Sequence, residues 1–182
     1  MKNILISCLL LLMACKTPQK ATSQVSANKN ITTTIDNCPE NGTCTLELIS
    51  NKTLEFKTDE FGNLYPTINE GSKTILKYTF TKKPLENTAD SNYTELIYAE
   101  LDSPIIDVNL TNEQLQNVQL HYGRLCFCKG ESGYFPIKNG NFSLTKTNKD
   151  SLKIDLNFSV KKIPQIISEI HQTVSLKSNE TN

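Results

Sequence analysis

SLKIDLNFSV, residues 151–160, alternates apolar and polar side chains without a break. Leu152, Ile154, Leu156, Phe158 and Val160 fall on one side, and Ser151, Lys153, Asp155, Asn157 and Ser159 on the other. Successive side chains of an extended chain point to opposite faces, so this segment is predicted to be a strand with one face on a core and the other toward water. A helix, with its period of 3.6, would scatter the same five apolar residues around its axis.

The same period recurs on either side of this segment. TCTLELIS (43–50) and KTLEFKT (52–58) alternate on either side of Asn51, which is read as a tight connection between two strands. TILKYTFTK (74–82) sets Leu76, Tyr78 and Phe80 against a more polar face. YTELIYAELD (93–102) is apolar on both faces, as a central strand would be. PIIDVNL begins a further strand at Pro104, where a missing N–H is tolerated. VQLHYGRLCFC and YFPI follow, then KNGN as a hairpin signal through Asn139-Gly140, then FSLTK. TNEQLQNVQL carries a capping-box pattern, Thr111 with Gln114, but its apolar spacing supports only one or two helical turns. Residues 163–176 fit a helix or a strand, and their β-branched content favours a strand. The expectation is an all-β fold, a single β-sandwich or small barrel-like domain of about eight to ten strands with at most one short helix.

Lys plus Arg equals Asp plus Glu at 19 each, which leaves no basic field for nucleic acid. Residues 16–35, KTPQKATSQVSANKNITTTI, hold no aromatic residue and few apolar groups to offset the entropy of ordering, and are read as a flexible tether. The domain organisation read from the sequence is a signal peptide over 1–14, an N-terminus and tether over 15–35, a β-rich domain over 36–178 and a disordered tail over 179–182.

The signal peptide rests on MKNILISCLLLLMACK: Lys2 supplies a positive start, and the apolar run to Met13 is too short to span a bilayer, which takes about 20 residues. Its end, Leu12-Met13-Ala14-Cys15, resembles the lipobox of bacterial lipoproteins. The resemblance covers only the signal region and leaves the body of the chain without a recognised family. It implies that the signal is cut before Cys15 and that Cys15 is diacylated, which makes the lipid bilayer a partner. Lys16, in place of the Asp associated with inner-membrane retention in that family, implies the outer membrane, with the domain facing the periplasm or the surface.

In that compartment Cys38, Cys44, Cys126 and Cys128 are candidates for disulfides. CPENGTC, with Pro39 and Asn41-Gly42, has the composition of a turn that closes on itself. Cys126 and Cys128 share a face if the strand is extended, with Cα atoms about 7 Å apart, so a direct bond between them needs a bent loop. Local and crossing pairings both remain open. A crossing link would close a longer loop and give roughly 4.5 kcal/mol, against about 2 kcal/mol for a local Cys38–Cys44 link. The alternative is a metal-handling or redox pair at Cys126 and Cys128, with Cu(I) the metal best suited to thiolates. The spacing matches neither a zinc site nor a C-x-x-C oxidoreductase.

No G-x-S-x-G, H-E-x-x-H or phosphate-loop pattern occurs, and no catalytic residue, metal ligand or cofactor is assigned. His121 is read as a packed or edge residue, and Glu95, Glu100 and Asp102 as solvated carboxylates. The loop KGESGYFPIKNG, with Lys129, Glu131, Tyr134, Phe135 and Lys138, is the candidate contact surface, because glycines at 130 and 133 free its backbone and its side chains mix aromatic and charged groups. The resulting expectation is a lipid-anchored envelope lipoprotein, a non-catalytic binding or structural β-module for an envelope protein or glycan. Metabolic labelling with palmitate is expected to mark the parent chain but not a Cys15→Ser variant, and the intact mass of the parent should begin at Cys15. An unlabelled parent, or a mature N-terminus elsewhere, would overturn the lipobox reading.

Overall fold

A computed structural model describes residues 30–35, 37–148 and 150–176. The signal peptide, Cys15, tether residues 16–29 and the tail over 179–182 lie outside the described residues. Ten strands form two antiparallel sheets that face one another as a β-sandwich. The strands are β1 (Ile31–Thr34), β2 (Gly42–Thr58), β3 (Leu64–Lys82), β4 (Tyr93–Leu101), β5 (Val108–Thr111), β6 (His121–Cys126), β7 (Gly133–Pro136), β8 (Gly140–Asn148), β9 (Ser151–Phe158) and β10 (Glu169–Ser175). One sheet runs β1-β2-β3-β4-β6-β7 and the other β10-β9-β8-β5.

The alternation that identifies β9 also seats it. Leu152, Ile154, Leu156 and Phe158 are buried between the sheets, while Lys153 and Asn157 are exposed. Each such apolar side chain contributes roughly 1.5–3 kcal/mol by leaving water. β8 and β10 flank β9 in registers that put Phe142 and Ile170 beside Leu156, and Leu144 beside Ile154. The opposing wall is the inner face of the larger sheet, including Leu46, Leu48, Leu76, Ile97, Ala99 and Tyr122. A 3-10 helix, Asn112–Val118, buries Leu115 and Val118 at one end of the sandwich, and Gln114 Oε1 accepts from the Thr111 N–H (3.3 Å), as the capping pattern anticipates.

Three expectations about the path of the chain are corrected. Ile31–Thr34, assigned to the tether, pairs with β2 and leads to a buried Ile35, whose N–H donates to Cys44 O (3.0 Å). Asn51 makes no hairpin: with φ of 56° it sits in a bulge, and β2 continues past it as one strand against β3. Asn139-Gly140 makes no hairpin either. β7 pairs with β6 in the larger sheet and β8 with β9 in the smaller, so this dipeptide is where the chain crosses between sheets. A Cβ on Gly140 would stand 2.1 Å from Asn157 O, which makes glycine necessary at that crossing.

Beyond the bulge, the β2–β3 ribbon bends over the outer face of the larger sheet. There Leu54 packs with Ile75, Leu96 and Tyr98, and with Ile49, Phe56 and Tyr134 around them. Side chains of the sheet and of the segment before β6 hold the ribbon down: Leu54 N–H donates to Glu100 (2.8 Å), and the Gln119 amide donates to Leu54 O (3.0 Å). The ribbon ends in a turn organised by Asp59, which accepts from the N–H groups of Phe61 (2.9 Å) and Asn63 (2.8 Å).

Glu95 is 0 % exposed, so the expectation that it is a solvated carboxylate is corrected. It lies on the inward face of β4, in line with Ile97, Ala99 and Leu101, and accepts from the N–H groups of Ile166 and Ile167 (2.7 Å each) and from the Tyr93 hydroxyl. These bonds fasten the larger sheet to the segment that leads into β10. Glu100 is engaged by Leu54, and Asp102 is exposed and paired with Lys73 (2.6 Å). Removing a buried, fully bonded carboxylate strands its donors, so Glu95→Ala should cost about 3 kcal/mol or more, and Glu95→Gln, which keeps one acceptor oxygen, about 1–2 kcal/mol. Urea unfolding tests this, and equal losses below about 1 kcal/mol for both variants would overturn the clamp.

Candidate functional site

β6 leaves the sheet at Cys126 and returns as β7 at Gly133, and the six residues between make a hook. Cys126 and Cys128 are joined by a disulfide with Cα atoms 5.2 Å apart, closer than an extended strand allows. The chain therefore bends at Phe127, and a turn with Glu131 N–H donating to Cys128 O (3.2 Å) and Gly130 at φ of 72° brings it back. Cys38 and Cys44 form the second disulfide. Both pairings are local. Cys44 is wholly buried beneath the Tyr78 hydroxyl, which donates to its Sγ (2.9 Å), and burial pushes the Tyr78 phenol up to about 12.

The hook is fixed by the only arginine of the chain. Arg124, 7 % exposed, donates from Nη1 to Glu131 Oε2 (2.8 Å) and to Glu131 O (3.2 Å), and from Nε to the Tyr93 hydroxyl (3.1 Å). Its guanidinium also lies 5.3 Å from the Tyr93 ring centroid. Ser132 closes the base by donating to Arg124 O (3.1 Å). Because Tyr93 donates to Glu95, a continuous chain of polar contacts runs from the sheet-to-sheet clamp to the base of the hook. Burial first, and the nearby Glu95 carboxylate second, hold the Tyr122 phenol far above its ordinary range.

What this frame presents is Phe127, 85 % exposed, with Leu125 beside it on β6. A shallow apolar concavity of about 430 Å³ is lined by Phe127, Lys129 and the disulfide. An exposed aromatic side chain on a closed, braced loop loses little further freedom when it meets a partner.

The five loop residues expected to act together are divided. Lys129 stays at the hook, and Glu131 is engaged by Arg124. Tyr134 faces the outer cluster, 6.1 Å from Phe56 and 6.3 Å from Tyr98 between ring centroids, over Gly123, where a Cβ would stand 2.6 Å from its ring. Phe135 and Lys138 lie toward the opposite end of the β6–β7 pair, at a separate cleft. Phe127 itself is not among the five, because its place between two cysteines does not mark it as facing solvent.

His121 is packed, as expected. Its ring stacks on Phe56 with centroids 3.7 Å apart, and its Nδ1–H donates to Gln119 O (2.8 Å). Among the described residues no group of three His, Cys, Asp or Glu side chains is placed to hold a metal ion. No family model, curated protein or solved structure matches the chain.

Burial holds the His121 pKa below its ordinary 6.5, so the unfolded chain takes up this proton more readily than the folded one. The stability supplied by the neutral ring is present above about 6.5 and is lost as pH falls toward the folded pKa. His171 acts oppositely: its bond with Asp155 raises its pKa, so its contribution is present at low pH and is lost as pH rises through the folded value. A His121→Phe variant should therefore close or reverse any stability deficit against the parent as pH falls from about 7 to 5. Denaturant unfolding at each pH checks this, and a constant difference would overturn the assignment.

Proposed function

We propose that the chain is a lipid-anchored envelope lipoprotein whose sandwich is a non-catalytic binding module, with the hook as its contact surface. The observation that carries this reading is Phe127, 85 % exposed on a loop closed by a disulfide and braced by the Arg124–Glu131 pair. Aromatic anchors of this kind contribute disproportionately to binding when a partner covers them. The lipobox supports attachment through acylated Cys15, and Lys16 supports the outer membrane, with the tether carrying the domain to a protein or glycan of the envelope. No helix among the described residues is long and apolar enough to cross a membrane.

A second reading is cysteine-dependent chemistry at Cys126 and Cys128. It is favoured by the half-buried position of this pair, against the complete burial of Cys44. In that reading the disulfide takes two electrons and two protons from a partner dithiol, which is oxidised to a disulfide, and the reduced pair is the state able to hold Cu(I). Differential alkylation that finds the pair reduced in the envelope would favour this reading over the first.

A photo-crosslinking phenylalanine analogue at position 127, in the intact envelope, is expected to give a discrete adduct that is absent when the analogue replaces Lys153 on the exposed face of β9. Loss of the adduct in an Arg124→Ala background would tie it to the braced hook. No adduct at 127, or hydrolase turnover by the purified chain that disappears on replacing His121, would overturn the binding-module reading.

A further inference from the structure

At the far end of the β6–β7 pair from the hook, a cleft of about 290 Å³ opens where the chain crosses between the sheets. Lys138 and Asn139 of the crossing form one side, and Ser159, Lys161 and Lys162, beyond β9, form the other. Phe135, Pro136 and Val160 add apolar surface. Three lysines therefore line one small concavity with no acidic residue among its lining residues, in a chain whose acids and bases balance overall. Lys138 has Glu113 as a partner (3.2 Å), while Lys161 and Lys162 make no ion pair among the described residues.

The cleft is built rather than incidental. Ser159 N–H donates to Asn139 O (3.1 Å), which joins its two sides. Val160 N–H donates to Gln165 Oε1 (2.6 Å), and the Gln165 amide donates to Ile167 O (3.0 Å), so the turn bearing the two free lysines is closed on itself. Glu95 then anchors that turn through Ile166 and Ile167.

We propose that this cleft binds the phosphate of a small phosphorylated ligand, with Lys161 and Lys162 as its principal contacts. Lysines act as point charges that can surround a tetrahedral dianion, whereas a planar carboxylate is matched best by the arginine fork, which this cleft lacks. Asn139 and Ser159 add neutral hydrogen-bonding groups at the rim, and the apolar wall accepts the carbon skeleton of a ligand. The volume lies at the lower end of ligand pockets, which run from roughly 300 Å³ upward, and suits a sugar phosphate or a lipid headgroup better than a polymer. This inference is independent of the hook.

Calorimetric titration of the full chain at low salt with glucose 6-phosphate, with dihexanoyl phosphatidic acid and with glucuronate tests it. At least one phosphate compound should bind about tenfold more tightly than glucuronate, and the tighter of the two identifies a soluble sugar phosphate or a lipid headgroup as the source. Lys161→Glu with Lys162→Glu should abolish that binding, while Lys82→Glu with Lys83→Glu, an equal change of charge elsewhere, should leave it within about twofold. Binding of neither phosphate compound, equal binding of glucuronate, or equal loss in both double variants would overturn the proposal.

Discussion

A carboxylate with no access to water has to find donors inside the protein, and Glu95 finds them on both sides of the sandwich. Its bonds to Ile166 and Ile167 fix the segment before β10, and Tyr93 passes the constraint to Arg124. The core provides the bulk of the cohesion but no direction, because apolar contacts of similar volume can slide past one another. The carboxylate admits one arrangement of the two sheets. Through Arg124 it reaches the hook, and through Ile166 and Ile167 it reaches the lysine turn, so both candidate contact surfaces are braced by the same buried group.

Much of the architecture was legible in the sequence because it follows from the period of two. β9 carries that period in its residues, β4 is apolar on both faces as a central strand is, and the capping pair Thr111 and Gln114 marks the one helical segment among the described residues. Failures came where a local signal has two structural uses. A residue that tolerates positive φ serves a hairpin or a bulge equally, and only pairing over long range made Asn51 the latter. Gly140 similarly signals a break without saying whether the next strand joins the same sheet.

The candidate site was less legible for a physical reason. Cys126 and Cys128 identified the hook region, but their pairing depends on a bend of the backbone that spacing does not determine. Glu95 was readable in principle as the one charge in the inward series Tyr93, Glu95, Ile97, Ala99 and Leu101. Besides Tyr93, its partners are main-chain N–H groups 71 and 72 residues away, which leave no mark in side-chain identity. The lysine cleft likewise combines segments from two sheets, and its parts look like ordinary surface charges until they are brought together.

The short strands at the sheet borders have a consequence for crowding. β1 and β7 border the larger sheet and β5 one side of the smaller, and each has four residues; β7 ends in Pro136, which has no N–H to offer. Molecules confined to two dimensions collide far more often than the same number free in solution, and an open strand border is the place where such collisions become permanent. With little uninterrupted main chain on these three sides, copies brought to high density, as the proposed lipid anchor would bring them, can crowd together and still separate.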